Sequence, residues 1–125
     1  MQAELHLICH PHSQVQLALS YLLVKESGGL LFNIPATEID QRQRNLHLLQ
    51  LLASGTKVVY PLETCTKHAR HLLRLLSARC NARLIVHIPE IDIPQIESEF
   101  PTPASMEFES PTESEGLNIV RYSLV

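Results

Sequence analysis

Four short apolar runs, each closed by a proline, constrain this chain more than anything else in it. They are residues 5–9 (LHLIC), 30–34 (LLFNI), 58–60 (VVY) and 84–88 (LIVHI), followed by Pro11, Pro35, Pro61 and Pro89, which are spaced 24, 26 and 28 residues apart. Proline has no N–H to offer a sheet ladder and holds φ near about −65°, so it ends a strand and starts a helix. Apolar runs of this length without alternation fit strands covered on both faces, as in a parallel sheet.

Helical patterns lie between the runs. Residues 13–25 place Val15, Ala18, Leu19, Leu22 and Leu23 on one face, widened by Leu17, Tyr21 and Val24, with Ser13 as cap and Gly28-Gly29 as stop. Residues 37–53 open with TEID, a capping-box pattern, turn Ile39, Leu46, Leu49, Leu52 and Ala53 inward, and end at Gly55. Residues 64–78 put Cys65, Ala69, Leu72, Leu73, Leu76 and Cys80 on one side and Lys67, Arg70, His71 and Arg74 on the other. Strands joined by helices run parallel through right-handed crossovers. The expectation is therefore a three-layer, Rossmann-like α/β domain over residues 1–90. Its mostly parallel four-stranded sheet has the first strand inside and the order 2-1-3-4. The layout resembles that of Rossmann-like sensor and accessory domains, some of which bind cyclic oligonucleotides; the likeness is one of element order and rests on no residue motif.

After Pro89 the pattern changes. Residues 91–116 hold Pro94, Pro101, Pro103 and Pro111 among acids and hydroxyl residues without periodicity, and read as an acidic linker. Residues 117–125 (LNIVRYSLV) regain strand character, as an edge strand of the same sheet or of a partner's. Charge divides at the same place. Residues 1–90 carry nine Lys/Arg against six Asp/Glu, and residues 91–125 carry Arg121 against seven acids. The acidic stretch is thus expected as a solvated tail, a cover for the basic face within the chain, or a docking peptide.

At 125 residues the chain has the length of one domain, and 5% aromatic content without Trp calls for an aliphatic core. No apolar run reaches the roughly 18 residues of a membrane span, and the first ten residues lack a secretory pattern. Three irregularly spaced cysteines suit a reducing compartment, so a cytoplasmic location is expected.

Ligands of open parallel sheets bind beyond the strand carboxyl ends, where the strand order switches. With the first strand beside the third, Cys9, His10, Pro11, His12 and Ser13 face Thr64, Cys65, Thr66 and Lys67 there, at two helix N-termini whose N–H groups favour an anion. The leading expectation is an accessory module, homo-oligomeric, binding a phosphate-containing, nucleotide-like ligand through Pro11, Ser13, Thr64, Thr66 and Lys67. There is no glycine-rich dinucleotide or P-loop pattern, and no particular cofactor is indicated. A second expectation is an interaction subunit that docks an acidic partner on Arg70, His71 and Arg74, or uses its acidic segment for docking. A third is a small phosphodiesterase or transferase using His10 or His12 with Cys9 or Cys65. Seven histidines also raise a metal reading, but Cys65, His68 and His71 point different ways on one helix, and no metal is assigned. A body at +3 without interleaved aromatics argues against a dedicated nucleic-acid binder.

Overall fold

Glu4–Ile8 forms β1 at the centre of the sheet, and its side chains explain why. Leu5, Leu7 and Ile8 are completely buried, Leu5 and Leu7 toward one layer of helices and Ile8 toward the other. The computed structural model describes residues 3–33, 41–62, 65–90 and 109–123. After β1 come α1 (Ser13–Ser27), β2 (Leu30–Leu31), α2 (Gln41–Ala53), β3 (Lys57–Pro61), α3 (Lys67–Arg79), β4 (Arg83–Glu90), a 3-10 turn at Glu113–Glu115, and β5 (Asn118–Ser123). All five strands are parallel. Leu19 and Leu23 of α1 pack over Ile8 and Val59 on one face. Leu48 and Leu52 of α2 and Leu73 of α3 pack with Leu5, Leu7, Val58, Tyr60 and Val86 on the other. This is the expected three-layer, Rossmann-like arrangement.

The strand order is a correction: it is β2-β3-β1-β4-β5, not 2-1-3-4. β2 is only two residues long, pairs through Leu30↔Val58 and Leu31↔Val59, and leaves Leu30 half exposed. So short a strand supplies too few ladder bonds and too little apolar cover for a place beside β1. It takes the edge, and the longer β4 takes the other side of β1, from Glu4↔Arg83 to Ile8↔His87. β5 joins the same sheet, parallel to β4 from Ile85↔Asn118 to Glu90↔Ser123.

The helix ends follow their chemistry. Gly28 closes α1 at φ 73°, its N–H bonded to Val24 O, and Gly55 takes φ 85° after α2. α3 starts at Lys67, with the Thr66 hydroxyl accepting from the Ala69 N–H at 3.2 Å. The TEID stretch expected to cap α2, and Ile39 with it, lies outside the described residues.

The buried faces of all three helices differ from the expected ones. α1 buries Val15, Gln16, Leu19 and Ser20 and leaves Ala18, Tyr21 and Leu22 exposed. α2 buries Arg44, Leu48 and Leu52, with Leu46 outside; α3 buries Arg70, Leu73 and Ser77, with Leu72 outside. Each inward stripe contains a polar side chain. Ser20 and Ser77 return their hydroxyls to Gln16 O and Leu73 O, one turn back, which removes the cost of burying them.

Candidate functional site

Because β1 pairs with β3, the chain leaves these two strands side by side and then departs to opposite faces, through α1 and through α3. That is the switch point, and the two expected loops meet there. Gln16, buried in the first turn of α1, ties them: its side-chain amide donates to His10 O at 2.7 Å and Leu62 O at 2.9 Å. His10 Nδ1 accepts the His12 backbone N–H at 3.0 Å, both imidazoles are buried, and burial lowers the pKa of His10. Pro11 is half-buried, Ser13 is the first residue of α1, and Lys67 with His68 lies exposed in the first turn of α3. Thr64 falls outside the described residues. Gln16 joins the junction on its inner side, and Thr66 and the exposed Lys67 stand at its α3 edge.

Arg70 corrects the expectation that it lies on an outward basic face open to an acidic partner. It is completely buried at the mouth of the same junction. Its guanidinium grips the Glu115 carboxylate in a bidentate pair, Nε to Oε1 at 2.8 Å and Nη2 to Oε2 at 3.0 Å. Nη1 donates to Glu109 O at 2.7 Å, Cys65 O at 3.2 Å and Cys65 Sγ at 3.3 Å. Arg74 adds a bond to Glu115 O at 2.7 Å, while His71 stays exposed. Glu115 also accepts from the Thr112 N–H, and Arg70 holds its carboxyl below the usual range. Glu109 and Glu115, in the described end of the acidic segment, therefore lie against the basic helix within the chain. A buried guanidinium demands a counter-charge, and Glu115 supplies it from 45 residues away.

The face of the sheet toward α1 carries a second polar cluster that hydropathy alone does not reveal. Glu4, His6, His87 and Tyr122 form a hydrogen-bonded chain across β1, β4 and β5. The links are His6 Nε2 to Glu4 Oε1 at 2.9 Å, His6 Nδ1 to His87 Nε2 at 2.7 Å, and His87 Nδ1 to the Tyr122 hydroxyl at 2.5 Å. An ionised carboxylate only accepts, so His6 Nε2 donates to it. With both rings neutral, His87 Nε2 then donates to His6 Nδ1, and the Tyr122 O–H donates to His87 Nδ1. Burial first, and the neighbouring His6 second, push the pKa of His87 down to about 4.

Between α2 and α3, on the outer surface, lies a groove of about 540 Å³. Leu46, Leu49, Leu75 and Leu76 line it with Arg42, Asn45 and Arg79. Leu46 is 53% exposed and Leu75 54%, with Leu72 alongside on α3 at 46%. Leu46 and Leu72 are residues the helical periodicity had assigned to the core.

Among the described residues no three His, Cys, Asp or Glu side chains are grouped as metal ligands, and no helix is long and apolar enough to cross a membrane. No protein-family model matches the chain, and no curated protein matches it significantly.

Proposed function

We propose that this chain is a protein-interaction module whose groove between α2 and α3 takes an amphipathic helix with acidic flanks from a partner protein. The observation that carries the reading is the groove itself: open, floored by leucines and lined by two arginines without a carboxylate. Half-exposed leucines recover roughly 25 cal/mol per Å² when an apolar helix face covers them. Arg42 and Arg79 favour acidic residues beside that face and steer its approach. The test is a fluorescence titration with a synthetic acidic amphipathic helix and its charge-reversed analogue. Only the acidic peptide binds, and Leu75→Asp weakens it by about tenfold, near 1.4 kcal/mol, without moving the melting temperature. Equal binding of both peptides, or no effect of Leu75→Asp, removes the reading. A dimer that Leu75→Asp converts to monomer assigns the groove to a second copy instead.

A second reading has its own support at the switch point. His12, at the N-cap of α1, makes no side-chain capping bond, and neither α1 nor α3 has an acidic residue in its first turn. The first-turn N–H groups of α1, with Thr66 and Lys67, favour a phosphate-containing small molecule. A thermal-shift series with nucleotides and phosphosugars tests this: a concentration-dependent rise, lost in Lys67→Ala and His12→Ala, supports it, and a flat series ends it.

A further inference from the structure

β5 is an edge strand with little of its surface covered. β4 is its neighbour in the sheet, and none of the side chains from Asn118 to Tyr122 is fully buried, whereas β1 and β3 are buried at most positions. Strands with so little burial open at a lower cost than the core does. Just before β5 stands Gly116 at φ 71°, a left-handed conformation that glycine adopts without strain. On one side of this residue Glu115 is fixed to Arg70 and Arg74, and on the other Tyr122 is fixed to His87. The three together make an anchor, a hinge and a latch. We propose that β5 is a pH-released flap: as the solution turns mildly acidic, the His87–Tyr122 latch gives way and β5 lifts from β4 about Gly116, while Glu115 stays on Arg70.

The latch responds to acid because His87 is enclosed from both sides. Its buried ring stacks on His6 at 4.9 Å and on Tyr122 at 5.5 Å, and both its nitrogens are already in hydrogen bonds to these neighbours. From β1 the ring faces His6, with the Glu4 carboxylate beyond it, 2.9 Å from His6 Nε2. Glu4 is held below the usual carboxyl range by that bond, and then by Lys57 of β3 and Arg83 of β4. From α1, Glu26 adds to what burial does in raising the pKa of Tyr122. From β5 comes Tyr122 itself, Arg121 alternating to the face of Ile119. Lifting β5 takes Tyr122 off one side of the ring and lets water reach an imidazolium. The open form, with an ordinary value of 6.5, takes a proton that the closed form, with a pKa of about 4, refuses, so opening grows as pH falls through 6.5. Arg70 holds the Glu115 carboxyl below the usual range, so the anchor keeps its charge in that window.

The experiment follows amide hydrogen exchange of the full chain at about pH 7.5 and about pH 5, each amide corrected for its intrinsic rate. The β5 amides that bond to β4 are less protected than those of β1 at both pH values. From the higher pH to the lower their protection falls about 30-fold, the factor that one proton taken up with these two pKa values supplies. The Glu109 amide, bonded to Cys65 O at 2.7 Å, stays more protected than they are. Tyr122→Phe, which keeps the strand and loses the latch, lowers β5 protection about fivefold at neutral pH. His87→Phe removes the pH dependence. Protection in β5 equal to that in β1 overturns the proposal, because the strand then leaves only when the whole domain unfolds. So does β5 protection that ignores pH, or a Glu109 amide that falls to the β5 level. These outcomes are read on the unaltered chain and decide the matter even if His87→Phe fails to fold.

Discussion

At α3, Arg70 meets Glu115 as a charged pair; on the opposite face of the sheet, His87 meets Tyr122 as a neutral one. Both ties hold the segment after residue 108 against the body of the domain, and they differ in what burial asks of each. A guanidinium stays charged at any ordinary pH, so Arg70 can be buried only with a carboxylate opposite it. An imidazole can shed its charge, so His87 is buried by becoming neutral and accepting a hydrogen bond from a phenol. One contact survives burial by pairing charge and the other by giving it up. Acid therefore attacks them in different windows.

The largest expected effect comes from breaking the charged tie. Arg70→Ala takes the guanidinium away from the Glu115 carboxylate and from the Cys65 and Glu109 carbonyls and costs about 3–5 kcal/mol, read from the urea midpoint. Acidification comes next and separates the ties. His87 has a folded pKa of about 4 against an ordinary value of 6.5. Between these values the unfolded chain takes a proton that the folded chain refuses. The neutral tie is therefore at full strength above pH 6.5 and is lost as pH falls toward 4, a loss on the order of 3 kcal/mol. Glu115 is shifted the same way from 4.5 and first causes loss below that value. Stability measured against pH shows the histidine decline first, and His87→Phe flattens it; a curve level from 6.5 to 4.5 breaks the comparison. Tyr122→Phe removes the donor to His87 and costs about 1 kcal/mol in the urea midpoint at neutral pH. Lys57→Ala, which takes away the half-exposed ion pair with Glu4 at 3.7 Å, changes the same midpoint by about 0.5 kcal/mol or less.

The proline-terminated runs made four strands, three helices and their parallel sense readable, because those features depend on local sterics and on continuous apolarity. The place of β2 was not, because it turns on how few residues pair rather than on how apolar they are. Helix faces were misread at Gln16 and Arg70 for a related reason. Their partners, Leu62 O and Glu115, lie far along the chain, and periodicity treats an amide or a guanidinium as outward. Moving Arg70 inward rotates α3, leaving Leu72 exposed and placing Leu75 in the groove. Of the candidate site, the convergence of the loops after β1 and β3 was legible from chain order. The chain from Glu4 to Tyr122 joins three strands through Glu4 and His6, His87 and Tyr122, and leaves no local trace.

The all-parallel sheet also governs the route by which the domain assembles. β1 finds its neighbours at Lys57 and Arg83, with no hairpin among the described strands to bring two of them together cheaply. Helices form and dissolve on their own while the central strand waits for partners more than fifty residues away. Loop closure of that length precedes any reward in strand pairing, and so the domain belongs among slow folders for its size. Until β3 and β4 arrive, Leu5, Leu7 and Ile8 stand bare to solvent, and this interval is when the chain is most exposed to aggregation.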